Sequence, residues 1–419
     1  MSAYVPKHAL QSSELVRVRR DNFYIWLCYF SALMLGFEFG GYQYIFLNVR
    51  LEFGFSNTMM ATVNAIQTAV SLAAALVLSM LVDRVDKKKL LCFGAGIYTL
   101  GTALMLAAGN AFLFFSTKIL SGLGSGMIQA AVFPAMTLIC PEKSAKYTGM
   151  QQVFMSSGSV LAPLLLSYLL GSQLNLHWRV HYIIILVMSC LVFLGLLCSR
   201  PSVTRYVAVE QEGAVAVPAR KVLFTLPFLL VLFASALYMN METGFMNYAR
   251  EFYEVSGVGG QAGIAISLIW GSMVVSRFIT SRLGRGRGVL LVCSFSLAGV
   301  ALALMILLPI PGLVLVWAVL FGLAAGPGWP TILGIGLEAF PERAGLLSSV
   351  NMMFTNVGSM LGAYAVGAAS DLLGMQTAIW AAVAFAVVGA VVGGAAHGTA
   401  RRKQEAEQAA LTAEPVAEI

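Results

Sequence analysis

The sequence predicts an all-α membrane protein with twelve transmembrane helices. The chain of 419 residues is 59% hydrophobic, and its apolar residues gather in long runs. About 20 apolar residues in a helix are enough to cross the hydrocarbon core of a bilayer. Only 11% of the residues are charged, whereas a soluble domain carries about 25%. This composition excludes a water-soluble enzyme or nucleic-acid-binding domain, and the scattered cysteines and histidines predict no cofactor or metal site.

The predicted spans fall into two groups of six, with one long polar linker between the groups. We predict spans at 22–48, 57–82, 89–109, 111–137, 147–170, 178–199, 223–249, 261–282, 288–309, 311–337, 346–370 and 374–396. The predicted domains are an N-terminal tail at 1–21, a six-helix bundle at 22–200, a linker at 201–222, a second six-helix bundle at 223–396 and a C-terminal tail at 397–419.

The distribution of lysine and arginine predicts the orientation of these spans. Of the 26 basic residues, 22 fall on the tails and on the loops that share a side with the N-terminus. Only Arg50, Arg179 and Arg250 fall on the opposite loops, and Lys118 lies within the fourth span. Because cytoplasmic loops carry the excess of basic residues, we expect a multi-pass protein of the cell membrane with both termini in the cytoplasm.

The two halves of the chain repeat a set of motifs in the same order. The matched pairs are Glu38-x-Gly40-x-x-Gln43-Tyr44 with Glu242-x-Gly244-x-x-Asn247-Tyr248, Gly122-x-x-x-Gly126 with Gly322-x-x-x-Gly326, Pro141-Glu142 with Pro341-Glu342, and Phe154-x-x-x-Gly158-Ser159 with Phe354-x-x-x-Gly358-Ser359. The first pair is offset by 204 residues and the other three by 200. Four ordered matches indicate an internal duplication, in which each copy forms one half of the fold.

Two parallel six-helix halves joined by a central linker resemble the major facilitator superfamily of transporters. The basic stretch Asp83–Lys89 is similar to the D-R-x-G-R-R-K signature of that superfamily, although its usual glycines are replaced. The resemblance implies a central cavity lined by the first, fourth, seventh and tenth helices, and transport by alternating access. It also implies a cytoplasmic gate formed by Asp83 and Arg84, with Arg282 in a weaker copy of the signature.

Within the superfamily, the second half looks most like the fucose–proton symporter branch. The residues that carry this similarity are Tyr238-Met-Asn-Met-Glu242 in the seventh span and Gly326-Pro-Gly-Trp329-Pro330 in the tenth. Drug–proton antiporters typically carry a G-x-x-x-G-P-x-x-G-G pattern in the fifth helix, and Gly158-Ser-Val-Leu-Ala-Pro163 does not fit it. The pattern therefore favours uptake over export.

Three ionisable residues are predicted at membrane depth: Glu38 in the first span, Lys118 in the fourth and Glu242 in the seventh. A charge at the centre of a bilayer costs about 3 kcal/mol by insertion scales, so such residues are functional by default. We predict that all three take part in proton coupling. For Glu38 the alternatives are a fixed ion pair with Lys118 and a neutral carboxyl group bonded to a tyrosine such as Tyr42. For Glu242 they are binding of a substrate hydroxyl, a gate with Arg250, and a position near water at the end of the helix. Glu251 is expected to be a solvated loop charge.

Amide and hydroxyl side chains recur at helical spacing on several spans, which places hydrogen-bonding groups on one face of each helix. The residues predicted to contact substrate are Tyr42, Gln43, Asn64, Gln67, Gln152, Asn247, Asn351 and Trp329. For any single residue the alternative is a hydrogen bond between helices. The four histidines avoid the central parts of the predicted spans, so no histidine proton relay is expected.

The predicted function is secondary active transport of a small polar organic solute, such as a sugar, by proton-coupled symport. Amides outnumber charges in the polar stripes, which favours a neutral solute. Two alternatives stay open: a proton-coupled exporter of cationic or amphipathic compounds, and a carboxylate uptake transporter that uses Lys118. The expected partners are the solute, a proton or sodium as coupling ion, and membrane lipid. No nucleic acid is expected, and we expect a monomer.

Overall fold

The computed structural model describes residues 7–81, 86–139, 144–171, 174–202, 223–280, 282 and 286–413, and the regular structure in these ranges is entirely helical. The predicted all-α class is therefore confirmed. The first half contains α1 to α6, which are Lys7–Phe53, Asn57–Leu81, Lys87–Leu106, Ala111–Ile139, Ser144–Leu169 and Val180–Cys198. The predicted gate residues Asp83 and Arg84 lie outside the described residues.

The described part of the second half contains nine α-helices, because the tenth and twelfth predicted spans are each divided into two helices and a short helix follows the seventh. They are α7 to α15, which are Leu226–Met246, Ala249–Val255, Ala262–Thr280, Arg287–Leu307, Leu313–Ala325, Gly328–Ala339, Ala344–Leu373, Met375–Ala378 and Trp380–Ala413. The predicted tenth span is divided into α11 and α12 at Pro327, whose ring cannot continue the helical hydrogen bonds.

Eleven helical segments in the described ranges are long and apolar enough to cross a membrane. Each of these segments overlaps one predicted span, and the eleventh predicted span is the one without such a segment. That span is α13, which has 30 residues and is long enough to cross. Its amide and hydroxyl side chains, among them Asn351, Thr355 and Ser359, lower its mean hydropathy.

The described residues group into two compact units, which we call the first and second units. Residues 7–49 and 63–202 belong to the first unit, and residues 50–62 and 223–413 belong to the second. The end of α1 and the start of α2 therefore pack with the second half of the chain, which the sequence did not indicate.

The internal repeat predicted from the motifs is visible in backbone packing within each unit. Gly158 of α5 lies against the Leu33 carbonyl of α1, and Gly358 of α13 lies against the Ala236 carbonyl of α7. A Cβ atom on either glycine would collide with that carbonyl oxygen. Small residues at helix crossings allow such close approach in membranes. The same helix pair is therefore built in both halves, with glycine at the equivalent position.

A second pair of crossings repeats in the same way. Gly122 of α4 lies against the Gln67 carbonyl of α2, and Gly322 of α11 lies against the Ile269 carbonyl of α9. The Gly122 crossing matters for function because it fixes α2 beside α4, and both helices carry residues predicted at the site. The mid-membrane glycines thus serve helix packing.

Segment Arg50–Thr62 is bound to the second unit by a network of hydrogen bonds. Arg50 donates to the Glu251 carboxylate at 3.0 Å, and the Asn57 amide donates to the same oxygen at 3.3 Å. Glu251 is only 8% exposed, so the expectation that it is a solvated loop charge was wrong. The short helix α8 places Glu251 against Arg50, whereas Arg250 lies beside Glu254, one turn further on.

Asp371, near the end of α13, binds the first turn of α2. Its carboxylate accepts the backbone N–H groups of Asn57 and Thr58, both at 2.9 Å, and the Thr58 hydroxyl at 2.6 Å. The first N–H groups of a helix lack partners within the helix, and a carboxylate there also interacts favourably with the helix dipole. The Tyr248 hydroxyl adds a contact to the Asn57 carbonyl at 3.3 Å.

Replacement of Gly158 by alanine should weaken the crossing of α1 and α5. The added methyl group meets the Leu33 carbonyl, so the two backbones must move apart at a cost of about 1–3 kcal/mol. The matched control is Gly149→Ala in the same helix, where the added Cβ meets nothing within 4 Å. Thermal unfolding of both variants in detergent checks this, and equal stability of the two would contradict the packing argument.

Stability should depend on pH through Glu251. Burial raises the pKa of Glu251, while Arg50 and the Asn57 hydrogen bond act in the opposite direction and Asp371 adds to the increase. A carboxyl group with a raised pKa in the folded state binds its proton before the unfolded chain does. Acidification from pH 7.5 towards pH 5 should therefore stabilise the wild type relative to Glu251→Gln.

The measurement is the apparent melting temperature of both proteins at several pH values in that window. The control is Glu254→Gln, because the Glu254 side chain is about half exposed. A wild type that loses stability relative to Glu251→Gln on acidification would show that the Arg50 ion pair outweighs the burial of the carboxylate.

Candidate functional site

Lys118 is the centre of a polar cluster inside the first unit. Its side chain is 1% exposed, and its ammonium lies 3.5 Å from the centre of the Tyr42 ring. The rings of Tyr182 and Phe114 lie 5.6 and 5.9 Å from the same nitrogen. Cation–π contacts of this kind stabilise a charge that has left water. The lysine predicted at membrane depth is therefore held by aromatic faces.

Glu38 supplies the negative charge of this cluster. Its carboxylate accepts a hydrogen bond from the Gln67 amide at 3.1 Å, and the Tyr98 hydroxyl lies within hydrogen-bonding range of the same carboxylate. It lies within electrostatic range of Lys118, and no direct ion pair between the two side chains is found in the described part of the chain. The Glu38 side chain is half-buried. The two opposite charges are therefore neighbours, but Glu38 is held by a hydrogen bond and Lys118 by aromatic rings.

Local geometry explains how these side chains come together. Glu38 and Tyr42 are four residues apart on α1 and therefore share a face. The α2–α4 crossing at Gly122 brings Gln67 and Lys118 to the same region. Four predicted site residues, namely Glu38, Tyr42, Gln67 and Lys118, thus meet in the first unit.

His181 and Tyr182, at the start of α6, join this cluster and were missed at the sequence level. The His181 ring is 0% exposed, is stacked on Phe37 at 5.9 Å, and meets Tyr182 edge-on at 5.0 Å. We expected no role for this histidine because it lies near the end of its predicted span. The His181 side chain is buried because it packs against Phe37 and Gly41 of α1. The aromatic run Trp178–Tyr182 was the available signal.

A second cluster surrounds Glu242 in the second unit. Glu242 is 5% exposed, and one of its carboxylate oxygens has no hydrogen-bond partner among the described residues. Arg277 of α9 lies within electrostatic range, and the Tyr238 hydroxyl lies near both groups without a well-formed hydrogen bond. Arg277 also donates to the Gly326 carbonyl at 2.9 Å, a carbonyl that lies at the break between α11 and α12. Arg277 falls within the predicted eighth span and was not among the residues predicted at the site.

Two further predicted residues, Asn351 of α13 and Trp329 of α12, are linked through Thr355 of α13. Asn351 is 1% exposed and accepts a hydrogen bond from Ser235 at 2.6 Å. The half-buried Trp329 donates its indole N–H to the Thr355 hydroxyl at 3.3 Å. Thr355 in turn donates to the Asn351 carbonyl at 2.8 Å. The polar stripe of α13 therefore binds α7 and α12, as the interhelical alternative supposed.

The remaining predicted residues differ in their burial. Gln43 and Asn247 are buried at 1% and 3% exposure, Asn64 is half-buried, and Gln152 is exposed. Arg282 is exposed, with its guanidinium 4.3 Å from the centre of the Phe278 ring.

The two clusters have a similar chemical composition. Each unit holds a carboxylate, a basic side chain and tyrosine in an apolar surrounding. The described residues contain no group of His, Cys, Asp and Glu side chains fit to hold a metal ion. Carboxyl, amine and hydroxyl groups of the kinds found in both clusters can form hydrogen bonds and exchange protons.

Comparison with known proteins identifies the family. The model of the Major Facilitator Superfamily matches residues 28–288 and 282–416. An uncharacterised MFS-type transporter of Bacillus subtilis (strain 168), YfkL, is 31% identical over 93 residues. That match covers 22% of this chain and 23% of YfkL, so the curated relative is matched over about a quarter of its length.

Solved structures share the fold over nearly the whole chain. A bacterial homologue of the human lysosomal transporter Spinster, in an inward-facing and occupied conformation, has a TM-score of 0.76 at 14% identity. The match covers 91% of this chain and 98% of that one. A structure of the nucleoside transporter NupG has a TM-score of 0.71 at 15% identity, over 90% and 99% of the two chains. With the family match over most of its length, this chain belongs to the Major Facilitator Superfamily of transporters.

Proposed function

We propose that the protein is a proton-coupled symporter of a small, neutral, polar organic solute, with a sugar or related metabolite as the substrate class. It would act in the cell membrane by alternating access, with both termini in the cytoplasm. The observation that carries this proposal is the Glu38–Lys118 cluster. The two groups are ionisable, they lie in an apolar unit, and neither makes a direct ion pair with a described residue.

Glu38 is suited to bind and release a proton. Removal from water favours the neutral form of a carboxyl group, whereas a neighbouring ammonium favours the ionised form. A movement of α1 relative to α4 would change the distance between the Glu38 carboxylate and the Lys118 ammonium. Glu242 and Arg277 offer the same combination in the second unit. We assign Glu38 the primary role because Lys118 is the more deeply buried cation.

Trp329 and the amides support a neutral, hydroxylated solute. An indole face packs well on an apolar ring surface, and its N–H donates to an oxygen. Asn351 adds an amide group within the second unit, and Gln67 adds one within the first unit; amides bind hydroxyls without adding charge. The resemblance of the seventh and tenth spans to fucose–proton symporters agrees with this substrate class. A carboxylate substrate is the second candidate, favoured by Lys118 alone.

The substrate class can be found by thermal stability of the purified protein with panels of hexoses, hexitols, organic acids and lipophilic cations. A ligand that binds the native state raises apparent stability with its occupancy. A hit among the hexoses or hexitols supports the proposal. Hits confined to lipophilic cations would favour an exporter, and hits confined to organic acids would favour carboxylate uptake.

Replacement of Glu38 by glutamine should separate binding from coupling. Glutamine keeps the size and hydrogen-bonding capacity of the side chain but cannot take a proton. In proteoliposomes we expect Glu38→Gln to lose most accumulation driven by a pH gradient while it keeps solute counterflow. The control is Glu254→Gln, a substitution of an exposed glutamate, which should behave as wild type. Gradient-driven accumulation at the wild-type level in Glu38→Gln would rule out this carboxylate as the coupling site.

A further inference from the structure

We propose that Tyr42, Tyr182 and His181 form a hydroxyl-recognition site in the first unit, which binds vicinal hydroxyl groups of a neutral polyol or sugar. This inference rests on the proposed function, because it assigns the substrate chemistry of the same transporter. It adds His181 and Tyr182, which no motif pointed to, as residues that determine specificity.

The first observation is a set of buried polar atoms without partners. The hydroxyl groups of Tyr42 and Tyr182 and both ring nitrogens of His181 are buried and make no hydrogen bond to the described residues. Buried polar groups are nearly always paired in native proteins, and each exception calls for an explanation. Four such atoms from three neighbouring side chains form a local concentration of unmet hydrogen-bonding capacity.

Packing alone does not account for these residue types. Phe37 stacks on the His181 ring, and Tyr42 lies against Phe46 and the Lys118 ammonium. Phenylalanine rings would pack in the same places and would leave no polar atom unpaired. Burial of an unpaired hydroxyl or imidazole costs free energy, so the polar atoms indicate partners that arrive in another step of the transport cycle.

Donor and acceptor types indicate which partner fits. A neutral imidazole has one N–H donor and one acceptor nitrogen, and each tyrosine hydroxyl both donates and accepts. The site therefore offers donors and acceptors in similar number. A sugar hydroxyl also donates and accepts, so neighbouring hydroxyls would satisfy the whole set. A carboxylate accepts only, and would leave the acceptor nitrogen of His181 unpaired.

The charges around the site also disfavour an ionic ligand. Lys118 would repel an organic cation. Its charge is offset by Glu38 within electrostatic range, and its ammonium already lies on the Tyr42 face. Lys118 therefore serves to hold Tyr42 in place and to influence Glu38, which leaves the neutral groups to contact the solute.

Gly41 leaves space for the His181 ring. A Cβ atom on Gly41 would collide with the His181 ring, so only glycine leaves room for the imidazole between α1 and α6. Side chains whose positions are fixed by packing make the more selective binding groups. Stacking on Phe37 and the edge contact with Tyr182 place the His181 ring beside the Tyr182 hydroxyl-bearing ring.

The test compares a sugar with its deoxy analogues. Binding of D-glucose, D-galactose, D-mannose and myo-inositol to the purified full-length protein is measured by thermal stability, and the tightest probe is paired with analogues that lack one hydroxyl. In the wild type, loss of a contacted hydroxyl should weaken binding about tenfold. In Tyr42→Phe, Tyr182→Phe and His181→Phe, the ratio between sugar and deoxy analogue should fall towards one.

Matched variants separate recognition from packing. His181→Gln keeps a donor and an acceptor, and should restore part of the discrimination that His181→Phe loses. Tyr24→Phe is the control, because the Tyr24 hydroxyl is also buried without a partner among the described residues but lies 18 residues before Tyr42 on α1, about 27 Å away. Tyr24→Phe should leave the ratio unchanged.

Several outcomes would overturn the inference. One is an equal loss of affinity for sugar and deoxy analogue in the three variants, which would assign the residues to packing. Another is binding of gluconate or glucosamine but of no neutral probe. Proton-driven accumulation of such a charged probe in proteoliposomes would then uphold coupled transport while rejecting the hydroxyl site. Sugar binding with the expected ratios but without proton-driven accumulation would uphold the hydroxyl site and reject proton-coupled transport.

Discussion

The constraint on which the first unit depends is the burial of the Lys118 ammonium. An isolated charge moved from water into an apolar interior is costly unless it is paired or otherwise stabilised. Three aromatic rings surround this ammonium and Glu38 lies within electrostatic range. Each of these neighbours contributes to the stabilisation of the buried ammonium. The close crossing of α2 and α4 at Gly122 places Gln67 and Lys118 near Glu38. The stabilisation of the charges therefore depends on the packing of these helices.

The two halves of the chain share their helix packing but differ in where their buried basic residues lie. Equivalent glycines make equivalent backbone contacts in both units, and Glu38 and Glu242 occupy equivalent positions of the repeat. Their basic partners are not equivalent, because Lys118 comes from the fourth helix of its repeat and Arg277 from the second. A duplicated scaffold thus carries two clusters that differ in the depth and hydrogen bonding of the cation.

Much of the fold followed from the sequence, because runs of apolar residues and repeated glycines are direct signals of spans and crossings. The position of Glu38 and Lys118 inside membrane spans was also predictable, because each lies within an apolar run of the sequence. The burial of His181 was not, because its position near a span end gave no sign that it faces inward. Glu251 was misassigned for a related reason: its burial depends on Arg50 and Asn57, about 200 residues away in sequence. Contacts at that separation leave no periodic pattern.

The measurement that tests the central claim most directly is the protonation state of Glu38 itself. Solute-induced infrared difference spectra of the purified protein report carboxyl groups that gain or lose a proton on binding. If Glu38 is the coupling site, the protonated-carboxyl band should change when the solute identified by the stability screen is added, and this change should be absent from Glu38→Gln. The same change in Glu38→Gln, or its loss in Glu242→Gln instead, would contradict the account.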